Sequence, residues 1–393
     1  MYKIESGHLS IRKIDDLKKY ILNKEYEPLV RKIASGESFN PPVRKILSKR
    51  HSCRKRTVYI YAREESYILK LLTFLLIRKY DSIFPPNLYS FRVGHGVRKA
   101  VEYLRNFKNL SQMYVCKTDI HDYFNSVDIN LLIPMLQAVM SDEPIILKFI
   151  ISLLNDGRVM LPDRSIVEER KGIMAGVPLS SFLANLYLRE MDICFFESGN
   201  NYARYSDDII IFTKDEATCI KAADTVHRYL EHLNLSVNEK KEKMVVPHET
   251  WEFLGISYKD RIFDVSKVSA EKLKKKMRRK SRALVRWKDK KGADSERAVK
   301  AFVRTFNNKL YSSDLENELT WTRWFFPVIN THKTLAEIDH YMQDCIRYIA
   351  TGKRNNGRFK YRYADMKKLG YRSLVHEYYL LKRHRVDDNE TPV

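Results

Sequence analysis

Two aspartates stand side by side at Asp207 and Asp208, directly before an unbroken apolar run, Ile209-Ile210-Ile211-Phe212. A β-branched and aromatic run of this kind reads as a strand covered on both faces. One unpaired carboxylate is expensive to bury, and two adjacent ones more so. The stretch "RYSDDIIIF" therefore admits few solutions. A hairpin, with "NYARY" running up, Ser-Asp-Asp at the tip and "IIIF" running down, exposes the pair at a turn. A divalent cation neutralises it, and hard oxygen ligands suit Mg²⁺, which takes one or two carboxylates and fills its shell with water and phosphate oxygens. An acidic turn without metal is the alternative. The chain's other doublets, Asp15-Asp16 and Asp387-Asp388, lie in charged or polar stretches and read as solvated surface.

The charge balance narrows the partner. The chain has 393 residues, enough for two or three subdomains and a sizeable core. Lys and Arg number 71 against 49 Asp and Glu, a net charge of +22 and a pI near 9.6. An excess of this size opposes compaction and favours a polyanion, with nucleic acid the leading partner class. Five scattered cysteines without a Cys-x-x-Cys argue against a disulfide framework or a zinc site and point to a reducing cytoplasm. The N-terminal stretch "MYKIESGHLSIRKI" has no apolar signal region. The longest apolar runs, "ILKLLTFLLI" and "PIILKFIISLL", carry lysines and are too short to span a bilayer, so no membrane partner is expected.

The organisation predicted is α+β. Residues 1–112 are basic and largely helical with a strand at "RTVYIYA"; 113–265 hold a mixed core with an insertion at about 141–172; 266–393 are helical and rich in Lys and Arg. "MYVCKTDI" reads as a strand entering a turn, 129–155 as two helices, and "DGRVMLPDRSIVEERKG" as a hairpin. "PLSSFLANLYLREMD" reads as a helix with Ser180 or Ser181 as its N-cap. "DEATCIKAADTVHRYLEHLNL" is amphipathic, and "WEFLGISY" and "RIFDVS" are short strands.

A two-metal phosphoryl-transfer site needs carboxylates from different strands, holding ions ~3.5–4 Å apart. Asp119 ends an apolar strand in "VCKTDIHDYFNSVD" and is the candidate third ligand; Asp128 suits the N-cap of the helix after it better. The ordered set, strand-Asp-x4-Phe, G-x3-G-x-P-x-S-x3-A-N-x-Y-L, Y-x-D-D, L-x-V-N-x-x-K and F-L-G, resembles the palm of reverse transcriptases over roughly residues 50–265. It is similar to the bacterial branch that includes retrons, group II intron proteins and defence-associated enzymes.

The resemblance implies a right-hand polymerase fold with fingers, palm and a basic helical thumb. It implies two Mg²⁺ ions, with Mn²⁺ as an alternative, on Asp119, Asp207 and Asp208. Phe124 matches the bulky residue beneath the incoming sugar, which selects dNTPs. "RKRTVYIYA" resembles the finger strand that grips the triphosphate, indicating Arg56 and Arg54. "YSFRVGHGVRKAV" is similar to the Gly-Phe-Arg segment and marks Arg92, with Ser90 where Gly is usual. Gly176 opens a turn for close backbone approach. Lys241 aligns with a lysine that donates a proton to pyrophosphate, with Lys240 and Lys243 as competing alignments. Leu254 and Gly255 match the primer grip. Ala175 stands where group II and retroviral enzymes usually carry Gln, which favours the unknown-group, defence-associated enzymes.

Two basic segments complete the reading. "EKLKKKMRRKSRALVRWKDKKG" presents Lys274, Lys275, Arg278 and Arg279 where the family has its thumb, suited to tracking phosphates. The stretch around Arg358, Tyr361 and Arg362 interleaves cations with aromatic rings, a composition that can stack on unpaired bases or pack as alternate strand faces. The expected function is RNA-directed DNA synthesis on a cognate noncoding RNA, with a DNA primer or product, in antiphage defence. The alternatives are a retron-type or group II intron-related enzyme, or an inactive RNA-binding protein.

Overall fold

The computed structural model describes residues 11–48, 55–311, 320–352 and 361–387. It divides into two compact units, one over Arg12–Pro247 and the other from His248 onward.

The first unit is built around two sheets. Strands β1 (Val43–Ser48) and β2 (Lys55–Ile60) pair antiparallel. The hairpin β4 (Arg158–Met160) and β5 (Ile166–Glu168) joins them through one parallel pairing, Val43 with Met160. The stretch expected as a finger insertion thus pairs with β1. Helices α1 (Ile11–Leu22), α2 (Glu27–Ser35), α3 (Arg63–Lys79) and α4 (Val97–Arg105) surround this sheet in sequence.

The second sheet has the order β6-β7-β3-β8 and is antiparallel throughout: β3 (Tyr114–Asp119), β6 (Asn201–Tyr205), β7 (Asp208–Thr213) and β8 (Lys243–Val245). The run Ile209–Phe212 is buried at every position, which explains its lack of alternation. Helix α10 (Glu216–His232) covers β3 and β7 with Cys219, Ala222, Val226 and Leu230, a 3.6-residue stripe. Its N-cap is Asp215, which accepts from the Thr218 amide at 2.8 Å.

Between β3 and β6 the chain runs through the single turn α5 (Tyr123–Ser126) and helices α6 (Ile129–Val139), α7 (Pro144–Asn155), α8 (Ser180–Tyr187) and α9 (Arg189–Glu197). Asp128 caps α6 by accepting from the Asn130 amide. The N-cap expected at Ser180 or Ser181 is instead Leu179. The Ser180 hydroxyl turns back to the carbonyls of Ile173 and Met174 and so ties the preceding turn to the helix.

The second unit opens with a three-stranded sheet of β9 (Trp251–Phe253), β10 (Ile256–Lys259) and β11 (Ile262–Val265). It therefore begins earlier than the expected boundary at 265. Helix α11 (Lys267–Lys291) follows, capped by Ser266, with Ala270, Leu273, Met277, Ser281 and Leu284 buried along one face. Helices α12 (Ser295–Tyr311), α13 (Trp321–Phe325), α14 (Lys333–Thr351), α15 (Tyr363–Lys368) and α16 (Leu374–Asp387) complete it. Among the described residues no helix is long and apolar enough to cross a membrane.

Candidate active site

The β6–β7 hairpin turns at Ser206-Asp207, with Ser206 in the left-handed region at φ 61°. In the β3–β7 register Asp119 lies directly opposite Asp208, and the Ile120 amide donates to the Asp207 carbonyl at 3.2 Å. Opposed residues of an antiparallel pair share a face and sit ~4.5–5.5 Å apart. The sheet register thus brings together carboxylates that are remote in sequence.

Their environments differ. Asp119 is 2% exposed and well supplied with donors: Asn238 Nδ2 at 3.0 Å to one oxygen and Lys241 Nζ to the other. The Asn238 amide also donates to the Asp119 carbonyl at 2.7 Å, so the "VNEKK" turn is fastened to the strand end. Among the described residues Asp207 and Asp208 accept no side-chain hydrogen bond from another residue. Burial pushes the Asp208 carboxyl up to about 6; Lys117 opposes this, Asp207 and Asp119 reinforce it, and Lys241 opposes it again. Burial and then the charge of Asp119 push Asp207 up as well, against Lys241 and Arg56.

These are acids held where their ionised forms lack internal compensation, the donor chemistry that a hard cation requires. Among the described residues no three carboxylate, imidazole or thiol side chains form a ready-made cage. A Mg²⁺ ion completes its shell with water and substrate oxygens, so one or two converging carboxylates suffice. The residues present fit such an ion.

A buried charge pair anchors the hairpin. Arg204 and Asp192 are both fully buried. Arg204 donates through Nε and Nη2 to the two Asp192 oxygens, at 2.8 and 2.5 Å, and through Nη1 to the Ser206 carbonyl at 3.0 Å. The Tyr202 hydroxyl donates to Asp192 at 2.7 Å. The backbone of β6 is also bonded to the 87–89 segment, Arg204 N to Asn87 O and Tyr89 N to Arg204 O. Arg204 is thereby held through both its side chain and its backbone, and it passes that hold to Ser206, the residue immediately before the aspartates. The sequence reading gave Arg204, Asp192 and Asn238 no role. The available signal was an arginine inside an apolar strand pattern, which requires a buried partner.

The turn at 172–176 knits α5 to β2. A Cβ on Gly172 would lie 2.5 Å from the Phe124 carbonyl oxygen, and the Ile173 amide donates to that oxygen. Gly176 has φ 98°, and a Cβ there would meet the Tyr59 carbonyl and Val58 at 3.3 Å. Its freedom therefore serves close approach to β2 rather than to a nucleotide. Ala175 O accepts from the Tyr59 amide at 2.8 Å, and the Ala175 amide donates to Asn125 Oδ1 at 3.3 Å.

The other expected site residues sort by what they touch. Phe124 is half-buried on α5, with ring neighbours Tyr123 and Phe91. Arg56 is exposed on β2, and its charge is felt at Asp207. Arg92, expected at the nucleotide, is engaged elsewhere: its guanidinium bonds both Asp81 oxygens and the carbonyls of Pro85 and Leu88. That is a loop lock with no donor face left for a triphosphate. Arg54 and Arg358 lie outside the described residues.

In the second unit, Leu254 (φ 51°) and Gly255 (φ 83°) form the β9–β10 turn. The Leu254 carbonyl accepts from Trp324 Nε1 at 3.1 Å, and a Cβ on Gly255 would lie 2.8 Å from Ser269 Oγ. Lys275, Arg278 and Arg279 are exposed on α11. Lys274 is not equivalent to them, because it pairs with Glu337 at 3.4 Å and Glu271 at 3.7 Å. Tyr361 is half-buried with its hydroxyl pushed up by burial and by Asp365, Glu296 and Asp294. Arg362 is exposed, and its amide is capped by Asp365.

No curated protein sequence matches the chain. Among solved structures it is similar to apo telomerase from Candida tropicalis truncated from its C-terminal domain, at 15% identity and TM-score 0.46 over 63% of this chain and 60% of that one. It is also similar to telomerase from Candida albicans in complex with a TWJ fragment of telomeric RNA, at 14% identity and TM-score 0.45 over 89% and 66%. The chain thus spans less than two thirds of the length of the first of these. The sequence pattern of one family matches residues 59–258, just over half of the chain and the span that carries Asp119, Phe124, Asp207, Asp208 and Lys241. The chain belongs to the reverse transcriptase (RNA-dependent DNA polymerase) family.

Proposed function

We propose that this chain extends a primer with dNTPs on an RNA template, using Asp119, Asp207 and Asp208 to hold two Mg²⁺ ions, with Mn²⁺ as an alternative. The observation that carries this reading is the strand register that sets Asp119 opposite Asp208 with Asp207 at the adjoining tip. When bound, such an ion pair lowers the pKa of the attacking 3′-hydroxyl and stabilises charge on the leaving oxygen.

The chain's own residues do the rest. The Arg56 charge acts on the same region as Asp207, which suits it to the triphosphate. Phe124 limits the space beneath the sugar and excludes a 2′-hydroxyl. Lys241 Nζ rests on Asp119, beside the carboxylates, and is the group that gives its proton to departing pyrophosphate. Lys275, Arg278 and Arg279 provide a sequence-independent grip on phosphates, and Tyr361 with Arg362 offers an aromatic ring and a cation for unpaired bases. The template is a cognate noncoding RNA and the setting antiphage defence in the cytoplasm. The "MAGVPLSSFLANLYL" stretch, with Ala175 in place of Gln, supports the defence-associated branch over a splicing role.

The test is primer extension on RNA with the parent and the Asp207→Ala/Asp208→Ala double variant, alongside RNA affinity. Extension should vanish while RNA affinity holds or rises, because two negative charges disappear. Retained extension refutes the assignment, and loss of the fold points to a structural role for the pair. Sequencing the nucleic acid that co-purifies should return one dominant RNA; a random cellular sample would overturn the cognate-template proposal.

A further inference from the structure

We propose that Phe91 is a second determinant of sugar selection, acting by fixing the ring of Phe124. The inference rests on reading Phe124 as the residue beneath the incoming sugar.

Phe91 is a bulky residue in a conformation that disfavours one. Its φ is 57°, in the left-handed region, and its side chain is 37% exposed. A strained, exposed aromatic persists only where its surroundings over-determine it, and such strain gathers at functional sites. The surroundings here do so on both sides. Ser90 is fully buried, its hydroxyl 3.1 Å from Asn185 Oδ1 and its carbonyl accepting from Asn185 Nδ2 at 2.8 Å. Arg92 is locked on Asp81. With residues 90 and 92 both tied inward, the backbone at 91 has one outward direction for its side chain.

That direction leads to the gate. The Phe91 ring stands edge-on to Phe124 at 6.3 Å between centroids and 86° between planes. It also lies 6.5 Å from Tyr205, the tyrosine two residues before Asp207. Phe124 also meets Tyr123 at 5.7 Å, and Tyr123 is buried, with its hydroxyl bonded to the Ala184 carbonyl. Phe124 is therefore held between one immovable ring and one surface ring. Edge-to-face pairs at 4.5–7 Å are attractive beyond the area they bury. Removing the surface ring frees Phe124 to turn away from Tyr123 and enlarge the space below the sugar. The same ring links the gate to the hairpin through Tyr205, so the clearance is set relative to the carboxylates.

The experiment is single-nucleotide insertion of dGTP and GTP on a primed RNA template by the parent, Phe91→Gly, Phe91→Tyr, Phe124→Ala and the Phe91→Gly/Phe124→Ala double variant. Glycine removes the ring and relieves the backbone strain, so it does not threaten the fold. Phe91→Gly should lower the dGTP over GTP ratio of kcat/KM roughly tenfold, equivalent to about 1.4 kcal/mol, chiefly through a lower KM for GTP. Phe91→Tyr should restore it. The double variant should be no less selective than Phe124→Ala alone, because both changes remove one constraint. If Phe124→Ala relaxes the ratio and Phe91→Gly lowers both nucleotides equally, Phe91 is a shelf for the base and the inference falls alone. If Phe124→Ala leaves the ratio unchanged, the gate reading and this inference fall together.

Discussion

Replacing Asp208 by Asn should stabilise the metal-free protein while abolishing synthesis. The carboxyl is held at about 6 in the folded chain against 3.8 for an unperturbed aspartate. The folded state thus binds this proton more tightly than the unfolded state does. The stability it contributes is complete below about pH 4 and is lost as pH rises through about 6. Above that, keeping the group ionised costs up to about 3 kcal/mol, at 1.36 kcal/mol for each pH unit between the two values. Asparagine keeps the shape and removes the charge. In chelator, the variant should gain ~2–3 kcal/mol over the parent at pH 8, and roughly half as much at pH 5, where most of the parent's carboxyl is already protonated. For a unit of this size the gain at pH 8 corresponds to a Tm rise of roughly 5–10 °C.

The assay is denaturant unfolding in EDTA at pH 5 and pH 8, repeated with Mg²⁺. Divalent cation binds the folded parent only, so it should raise the parent and close the gap at pH 8, leaving the variant nearly unmoved. Equal or lower stability of Asp208→Asn at both pH values would refute the reasoning, because it would mean that the carboxylate is already compensated inside the protein.

The remaining predictions test the supports around the site. Arg204→Leu strands the buried Asp192 carboxylate and should cost ~3–5 kcal/mol in unfolding free energy; adding Asp192→Leu should recover most of that loss, and failure to recover would deny the pair its isolation. Replacing exposed Lys275, Arg278 and Arg279 together by Ala should reduce the slope of log K against log salt for RNA binding by roughly 2–3. Lys274→Ala should leave that slope unchanged, since Glu337 and Glu271 already engage it.

The palm was legible because its signals are local and chemical. Asp119 and Asp207-Asp208 each close an apolar strand, and antiparallel pairing then makes them neighbours. The hairpins at 158–168 and 201–213 and the helices at 129–155 follow the same periodicities. What the sequence hid was partner choice. Ser180 had two ways to use its hydroxyl, outward as a cap or back to the 173 and 174 carbonyls, and only the tertiary turn decides. Arg92 and Lys274 looked like free cations because their acids, Asp81 and Glu337, lie outside the motifs. Gly176 was rightly a position of close approach, but the approaching group is the β2 backbone. Phe91 sat between residues chosen for attention, and its left-handed backbone has no mark in the sequence.

The two acidic clusters, Asp192 fully buried and Asp207-Asp208 half-buried, show how structure separates support from chemistry. Asp192 lies in the core with every oxygen answered, by Arg204 twice and by Tyr202. Burying that pair without such geometry would be strongly unfavourable. Asp207 and Asp208 lie just beyond Arg204 on the β6–β7 hairpin, yet among the described residues no side chain hydrogen-bonds them, and burial raises both toward protonation. A fold that can build a complete internal partner for one carboxylate could have built one for its neighbours. It instead fixes the tip through the Arg204 bond to the Ser206 carbonyl and leaves the acidic groups beyond it open. Rigid backbone with unsatisfied charge is the arrangement that lets a cation and a polyanionic substrate, rather than the protein, complete the electrostatics. Lys241 on Asp119 is the intermediate case: a half-exposed ammonium that balances the third acid until something of higher charge takes its place.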